Sequence, residues 1–125
     1  MFKFEEGMPI YIQIIQKIKA EIVTGKLKGG DKMQSVREFS ETYKVNPNTV
    51  QRVFLEMERE GITYSQRGIG TFVSDSTELM EKLKSTQAQK YTKRFIEEMK
   101  ELGLANKEVK EYLNMVMEEQ KNENS

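Results

Sequence analysis

From Pro9 to Val23 the residues Tyr11, Ile14, Ile15, Ile18 and Ile22 recur at steps of three and four, which draws one apolar stripe along a helix. Pro9 suits its first turn and Gly25 its end. The next nine residues, "KLKGGDKMQ", carry two glycines and three lysines and cannot extend that helix, so they read as a basic loop. Ser35 and Glu38 stand at capping-box spacing and predict a short second helix from about Val36 to Tyr43, with Phe39 facing inward. The segment "YKVNP" breaks the chain, because Pro47 disfavours a helical Asn46 while itself fitting the first position of a helix. Asn46 is a good cap for that third helix, which runs from Pro47 to Glu60 and ends at Gly61. Val50, Val53, Phe54 and Met57 share one of its faces; Asn48, Gln51, Arg52 and Arg59 share the other. Leu55 falls on the polar side, where the pattern gives it no role.

After Gly61 the alternation shortens. "ITYS" and "TFV" are strand-like runs around "QRGIG", a hairpin with glycines at its tip. Beyond Asp75 the helical period returns at Leu79, Leu83, Tyr91, Phe95, Met99 and Leu102, interrupted by the polar "KSTQAQ" and stopped at Gly103. Asn106 can cap a last helix bearing Val109, Leu113, Val116 and Met117, so the final residues form an αα-hairpin with a frayed tail, "KNENS". The fold class that follows is mainly α: a winged helix-turn-helix of three helices and a two-stranded β-wing, then a two-helix C-terminal dimerisation hairpin. The boundary falls between residues 1–75 and 76–125.

Composition removes more than it adds. A chain of 125 residues sustains one substantial core. Hydrophobic residues make up 37% and charged residues 32%, with Lys+Arg and Asp+Glu balanced at 20 each, so net charge argues neither for nor against a polyanionic partner. The absence of cysteine and histidine takes away disulfides, Cys/His zinc sites, thiol nucleophiles and the usual neutral-pH proton shuttle. Paired carboxylates such as Glu5–Glu6 and Glu97–Glu98 are sequence neighbours with no nucleophile beside them, so no enzyme, metal or cofactor is expected. "MFKFEEGMPI" has acids where a signal peptide needs an apolar run, and no stretch reaches the length of a membrane span. The reading is therefore a cytoplasmic protein without a membrane partner.

Charge position is more informative than its sum. Between Lys26 and Phe54 six basic residues (Lys26, Lys28, Lys32, Arg37, Lys44, Arg52) face three acids (Asp31, Glu38, Glu41). In a helix-turn-helix the second helix enters the major groove and its first turns reach base edges. Asn48, Thr49, Gln51 and Arg52 stand on those turns; Asn and Gln suit adenine and Arg suits guanine. Asn46 and Ser35 mark helix N-termini whose unpaired N–H groups can bind phosphate, with Arg37 beside the second. In the wing, Gln66 and Arg67 precede Gly68 and Gly70, a slim tip that lets Arg67 enter a groove.

Each feature has a plainer meaning. Asn46–Pro47 alone is a helix start, scattered Lys and Arg are usually a solvated face, and Arg59 is read as that. Gly68-Ile69-Gly70 is a turn and not a nucleotide fingerprint, since it opens no helix. Met33, Met57, Met80, Met99, Met115 and Met117 read as core filler, and Tyr91, Phe95 and Tyr112 as interhelical packing rather than a ligand pocket.

In combination the pieces resemble a known family. "SVREFSETYKVNPNTVQRVFLEMEREGITYSQRGIGTFV" is similar to the DNA-binding domain of GntR-family bacterial transcription regulators, over roughly Pro9 to Val73, and the short two-helix tail resembles the YtrA subfamily, whose members often control transporter operons. The resemblance implies that Arg37 contacts the DNA backbone, that Asn48, Thr49, Gln51 and Arg52 face the major groove, and that Arg67 and Gly68 belong to the groove-facing wing. Gln34 stands where the family usually has proline, Asn46-Pro47 where many members have Ser-Arg, and Gln51 at a frequent arginine position, so no operator sequence carries over.

Two helices cannot bury their apolar faces alone, which predicts a homodimer through Leu83, Tyr91, Phe95, Met99, Leu102, Val109, Leu113 and Val116; packing back on the chain's own winged helix is the alternative and predicts a monomer. A two-fold protein matches a pseudo-palindromic double-stranded DNA operator. The expected function is a sequence-specific DNA-binding regulator, a repressor; the alternative is a winged-helix protein-interaction module. The regulated genes and any small-molecule effector stay open.

Overall fold

In the computed structural model, which describes residues 3–124, the apolar stripe becomes α1 (Ile10–Val23), with Pro9 just ahead of its first turn. Ile14 and Ile18 are fully buried on it. Gln13 is buried too, and its amide is satisfied: Oε1 accepts from the Glu5 N–H (2.7 Å) while Nε2 donates to the carbonyls of Glu5 (2.9 Å) and Met8 (2.8 Å). That one side chain ties the segment before α1 to the helix.

The second helix, α2 (Val36–Tyr43), starts on the expected capping box: Ser35 Oγ accepts from the Glu38 N–H (3.1 Å) and Glu38 Oε1 accepts from the Ser35 N–H (3.2 Å). Lys44 follows in the left-handed conformation (φ 55°), and the Ser40 hydroxyl donates to the Val45 carbonyl across the turn. Then α3 (Pro47–Arg59) begins with the Asn46 cap. Phe39 is wedged between Tyr43 (stacked, 4.5 Å between centroids) and Phe54 (edge-on, 5.8 Å), which locks the two helices together.

Gly61, at φ 77°, takes the left-handed position that terminates α3. The wing is β1 (Thr63–Gln66) paired antiparallel with β2 (Gly70–Val73), in the register Thr63↔Val73 to Gln66↔Gly70. The period-two alternation sends Thr63 and Val73 into the core and leaves Tyr64 stacked on Phe72 on the opposite face. The "KLKGGDKMQ" segment is more than a loop. Lys32 bridges Phe72, the Met33 N–H donates to the Thr71 carbonyl (2.8 Å) and the Val73 N–H to the Asp31 carbonyl (2.8 Å), which adds a short third edge to the wing. Gly29 is needed there because a Cβ would lie 2.8 Å from the Asp75 Cα.

The polar "KSTQAQ" does not interrupt α4 (Thr77–Glu101): Lys84, Gln87, Ala88 and Gln89 are good helix formers and carry Ser85 and Thr86 with them. Leu102 lies just past its end and is 74% exposed. The last helix, α5 (Asn106–Glu123), is capped differently from expectation. Asn106 is its first helical residue, and Ala105 holds the cap position with its N–H donating to Glu108 Oε1 (3.1 Å). A methyl group accepts nothing, so only the glutamate half of a capping box exists. Most of the tail expected to fray is helical through Glu123, and Ser125 lies outside the described residues.

The chain divides into two compact units, Met1–Lys84 and Ser85–Ser125, later than the 75/76 boundary read from the sequence. The reason is Leu83. Expected at a dimer surface, it is instead buried with Ile14, Ile18, Val50, Val53, Met57, Ile62 and Val73 in the core of the first unit, with Met80 packed alongside.

Candidate nucleic-acid interface

The geometry begins with which helix-end donors are already used. At α3, Pro47 has no N–H, the Asn48 N–H is taken by Asn46 Oδ1 (2.8 Å), and the Thr49 N–H by the Asn46 carbonyl (2.9 Å). The free donors expected there for a phosphate are therefore not free. At α2 the capping box consumes the Glu38 N–H but leaves those of Val36 and Arg37 open among the described residues, so this is the better anion-binding end. Ser35 is committed to the cap. Arg37 stands 90% exposed beside these donors and leans on Glu41 of its own helix (Nε to Oε1, 3.4 Å), a surface pair worth little.

Glu38 titrates below its ordinary value. The bond from the Ser35 backbone is the main cause, the Ser35 hydroxyl the second, and the positive charge of Lys32 a smaller pull in the same direction. Burial pushes the Tyr43 phenol upward.

On α3, Asn48, Gln51, Arg52 and Arg59 are all exposed, while Val50, Val53 and Met57 are inside, as the heptad-like spacing requires. Thr49 is half-buried at the edge. Arg59 pairs with Glu56 (3.0 Å) and Glu60 with Lys19 (3.1 Å), which anchors the acidic end of α3 to its own chain. Gln51 borders a cleft of about 290 Å³ that also takes in Lys32, Ser35, Leu55, Ser65 and Ile69. Leu55 thus has a place: with Ile69 it forms part of the apolar lining of this mixed cleft.

At the wing tip the turn Arg67–Gly68–Ile69 is closed by the Ile69 N–H donating to the Gln66 carbonyl (2.9 Å). Gly68 (φ 79°) and Gly70 (φ 146°) occupy conformations that favour glycine. Arg67 forms no ion pair among the described residues. Two residues outside the sequence-based site join this face. Lys32 lies along Gly70, where a Cβ would meet its Cε at 2.8 Å, and Tyr11 of α1 underlies Arg52. A lysine in a glycine loop and an aromatic at the margin of a helical stripe were the available signals; the spacing alone did not bring either to α3.

In the second unit Phe95, Met99, Leu102, Leu104, Tyr112, Leu113 and Val116 line an open apolar groove of about 490 Å³. Within the single chain Tyr91 and Tyr112 are nearly half exposed, and Met115 and Met117 more than half, so their own unit does not bury them; Met33 and Met57 are buried core filler. Among the described residues no helix is long and apolar enough to cross a membrane.

A capped helix pair, an exposed amide-rich second helix and a glycine-tipped wing define a winged helix-turn-helix, the architecture of DNA-binding transcriptional regulators. The chain belongs to the GntR family of bacterial regulatory proteins, whose family model matches residues 10–73. It is 43% identical over 109 residues to the HTH-type transcriptional regulator YhcF of Bacillus subtilis, spanning 87% of this chain and 90% of that one. It is 48% identical over 68 residues to the HTH-type transcriptional repressor YtrA of the same organism, spanning 54% of this chain and 52% of YtrA. Among solved structures it resembles a GntR family transcriptional regulator from Listeria monocytogenes (TM-score 0.83, 38% identity, 90% and 98% coverage). The AraR DNA-binding domain, solved in complex with operator ORX1, matches at TM-score 0.53 and 28% identity over 59% of this chain and 93% of its own. The protein is accordingly a DNA-binding transcriptional regulator of the GntR family, not an enzyme.

Proposed function

We propose that the protein is a homodimeric repressor that reads a pseudo-palindromic operator with α3 and grips the flanking backbone with α2 and the wing. The observation that carries the reading is the array of Asn48, Gln51 and Arg52, exposed on one face of a proline-started helix, together with an Arg67 at the glycine tip that has no ion pair among the described residues. Asn48 and Gln51 are the candidates for adenine and Arg52 for guanine. The open N–H groups at the front of α2, with Arg37, Lys28 and Lys32 nearby in sequence, supply sequence-independent phosphate contacts. The homodimer is supported by the apolar groove of α4 and α5 together with the exposure of Tyr112, Leu113, Met115, Val116 and Met117 on a unit of roughly 40 residues, too small to bury them itself. Repression is supported by the name of the YtrA relative.

The test is a mobility shift of the full chain on the duplex upstream of its own gene, titrated with salt. Affinity should fall steeply as salt rises. Arg52→Ala should cost about 1–3 kcal/mol on that duplex and relax base preference, whereas Lys28→Ala should weaken all duplexes alike. Binding that is absent, or indifferent to salt, favours a protein-interaction module instead.

A further inference from the structure

Arg52 differs from its neighbours in what holds it. Arg37, Arg59 and Arg94 each lean on a glutamate of their own helix, at 3.4, 3.0 and 3.5 Å. Arg52 has no carboxylate partner among the described residues. Its guanidinium lies over the ring of Tyr11, Cζ 3.8 Å from the centroid, and Nη2 donates to the Tyr11 hydroxyl at 3.1 Å. An ion pair would orient the side chain and neutralise it. A ring orients it and leaves the charge intact.

We propose that Tyr11, a residue of α1, is the positioning residue for base recognition by Arg52. The inference rests on the DNA-reading role proposed for α3. A free arginine loses much rotamer entropy when it is fixed against a base edge. Arg52 has lost part of it already, because α1 and α3 are packed through Ile14, Ile18, Val50 and Val53 and so fix the ring relative to the helix that carries the guanidinium. The hydroxyl takes one guanidinium N–H, and the others stay available for a two-point contact with guanine. Tyr11 therefore acts on specificity without touching a base.

The test is selection of binding sites from a randomised duplex pool by the full chain. The wild type should enrich a motif, and Arg52→Ala should lose preference at one base pair of each half-site. Tyr11→Leu should lose about tenfold in preference at that same base pair while its affinity for random duplex stays within about twofold. The double variant should be no worse there than Arg52→Ala alone. Independent of any variant's folding, the Arg52 side-chain resonances of the wild type should be shifted upfield by the ring. Tyr11→Phe should keep that shift and lose about threefold in preference, having lost only the hydroxyl. Additive effects in the double variant, unchanged preference in folded Tyr11→Leu, or unshifted Arg52 resonances overturn the role of Tyr11 while leaving DNA reading in place. A wild type that enriches no sequence overturns both.

Discussion

The two units bury their apolar residues to very different degrees. In the first, Ile14, Val50, Val53, Met57 and Val73 are completely inside, and what remains outside is largely charged and amide side chains, with Ile10, Leu55 and Ile69 as exposed apolar exceptions. In the second, Val109 is the buried residue of α5, while Tyr112, Leu113, Met115, Val116 and Met117 all stay substantially exposed. The first unit closes its core with three helices, a wing and the start of α4, enough layers to surround one centre. A pair of helices has only one shared seam, and each keeps an apolar flank with nothing from its own unit to cover it. The first unit is thus self-sufficient and can present polar groups to a partner; the second asks for apolar surface from elsewhere.

The comparison breaks most visibly at Met57. Truncation to alanine removes a fully buried side chain where α3 meets the core, and should cost about 2–5 kcal/mol in urea unfolding. The loss should be the same at low and high protein concentration, since the contacts are internal to the unit. A cost below about 1 kcal/mol would mean that the site collapses around the gap and that the first unit is less tightly built than described.

Next in size is the apolar groove of the second unit. Leu113→Glu places a charge beside Phe95, Met99 and Val116. If a second copy covers that groove, the variant should lose about 2 kcal/mol or more of association free energy and sediment as a monomer at concentrations where the wild type is dimeric. Operator affinity should fall with it, because two linked half-sites are no longer engaged together. An unchanged sedimentation profile would remove this face as the dimer surface.

The sequence spoke unequally about the two units, for physical reasons. Local signals dominate in α1, α2, α3 and the wing: a 3.6-residue stripe, the Ser35–Glu38 box, Asn46 before Pro47, and glycine at the left-handed positions 61 and 68. Each is written within a few residues of its effect, so each was legible. Leu83 was misplaced because periodicity gives the face of a helix but not which neighbour covers it. Arg52 and Tyr11 are 41 positions apart, and no local rule joins them. Lys32 pairs with Phe72 through a single bridge inside a glycine-rich segment, where there is no alternation to read. The phosphate role given to the first turn of α3 failed for a related reason: the cap that made the helix recognisable is what occupies its donors.

The smallest effect concerns a local device of the candidate face whose charge can be titrated. Glu38 is held below its ordinary value of 4.5, chiefly by the Ser35 backbone. A carboxylate depressed by folding contributes stability that is complete above the ordinary value and disappears as pH falls through the lower folded one. Glu38→Gln keeps an oxygen for the Ser35 N–H but carries no charge, and so should lack this contribution at every pH. The difference in urea midpoint between wild type and variant should therefore favour the wild type at about pH 6 and close towards about pH 3, with the other carboxylates common to both and subtracted out. If that difference is flat across the acid range, the capping box of α2 depends on geometry alone. The glutamate charge would then contribute nothing to holding the open Val36 and Arg37 donors in place.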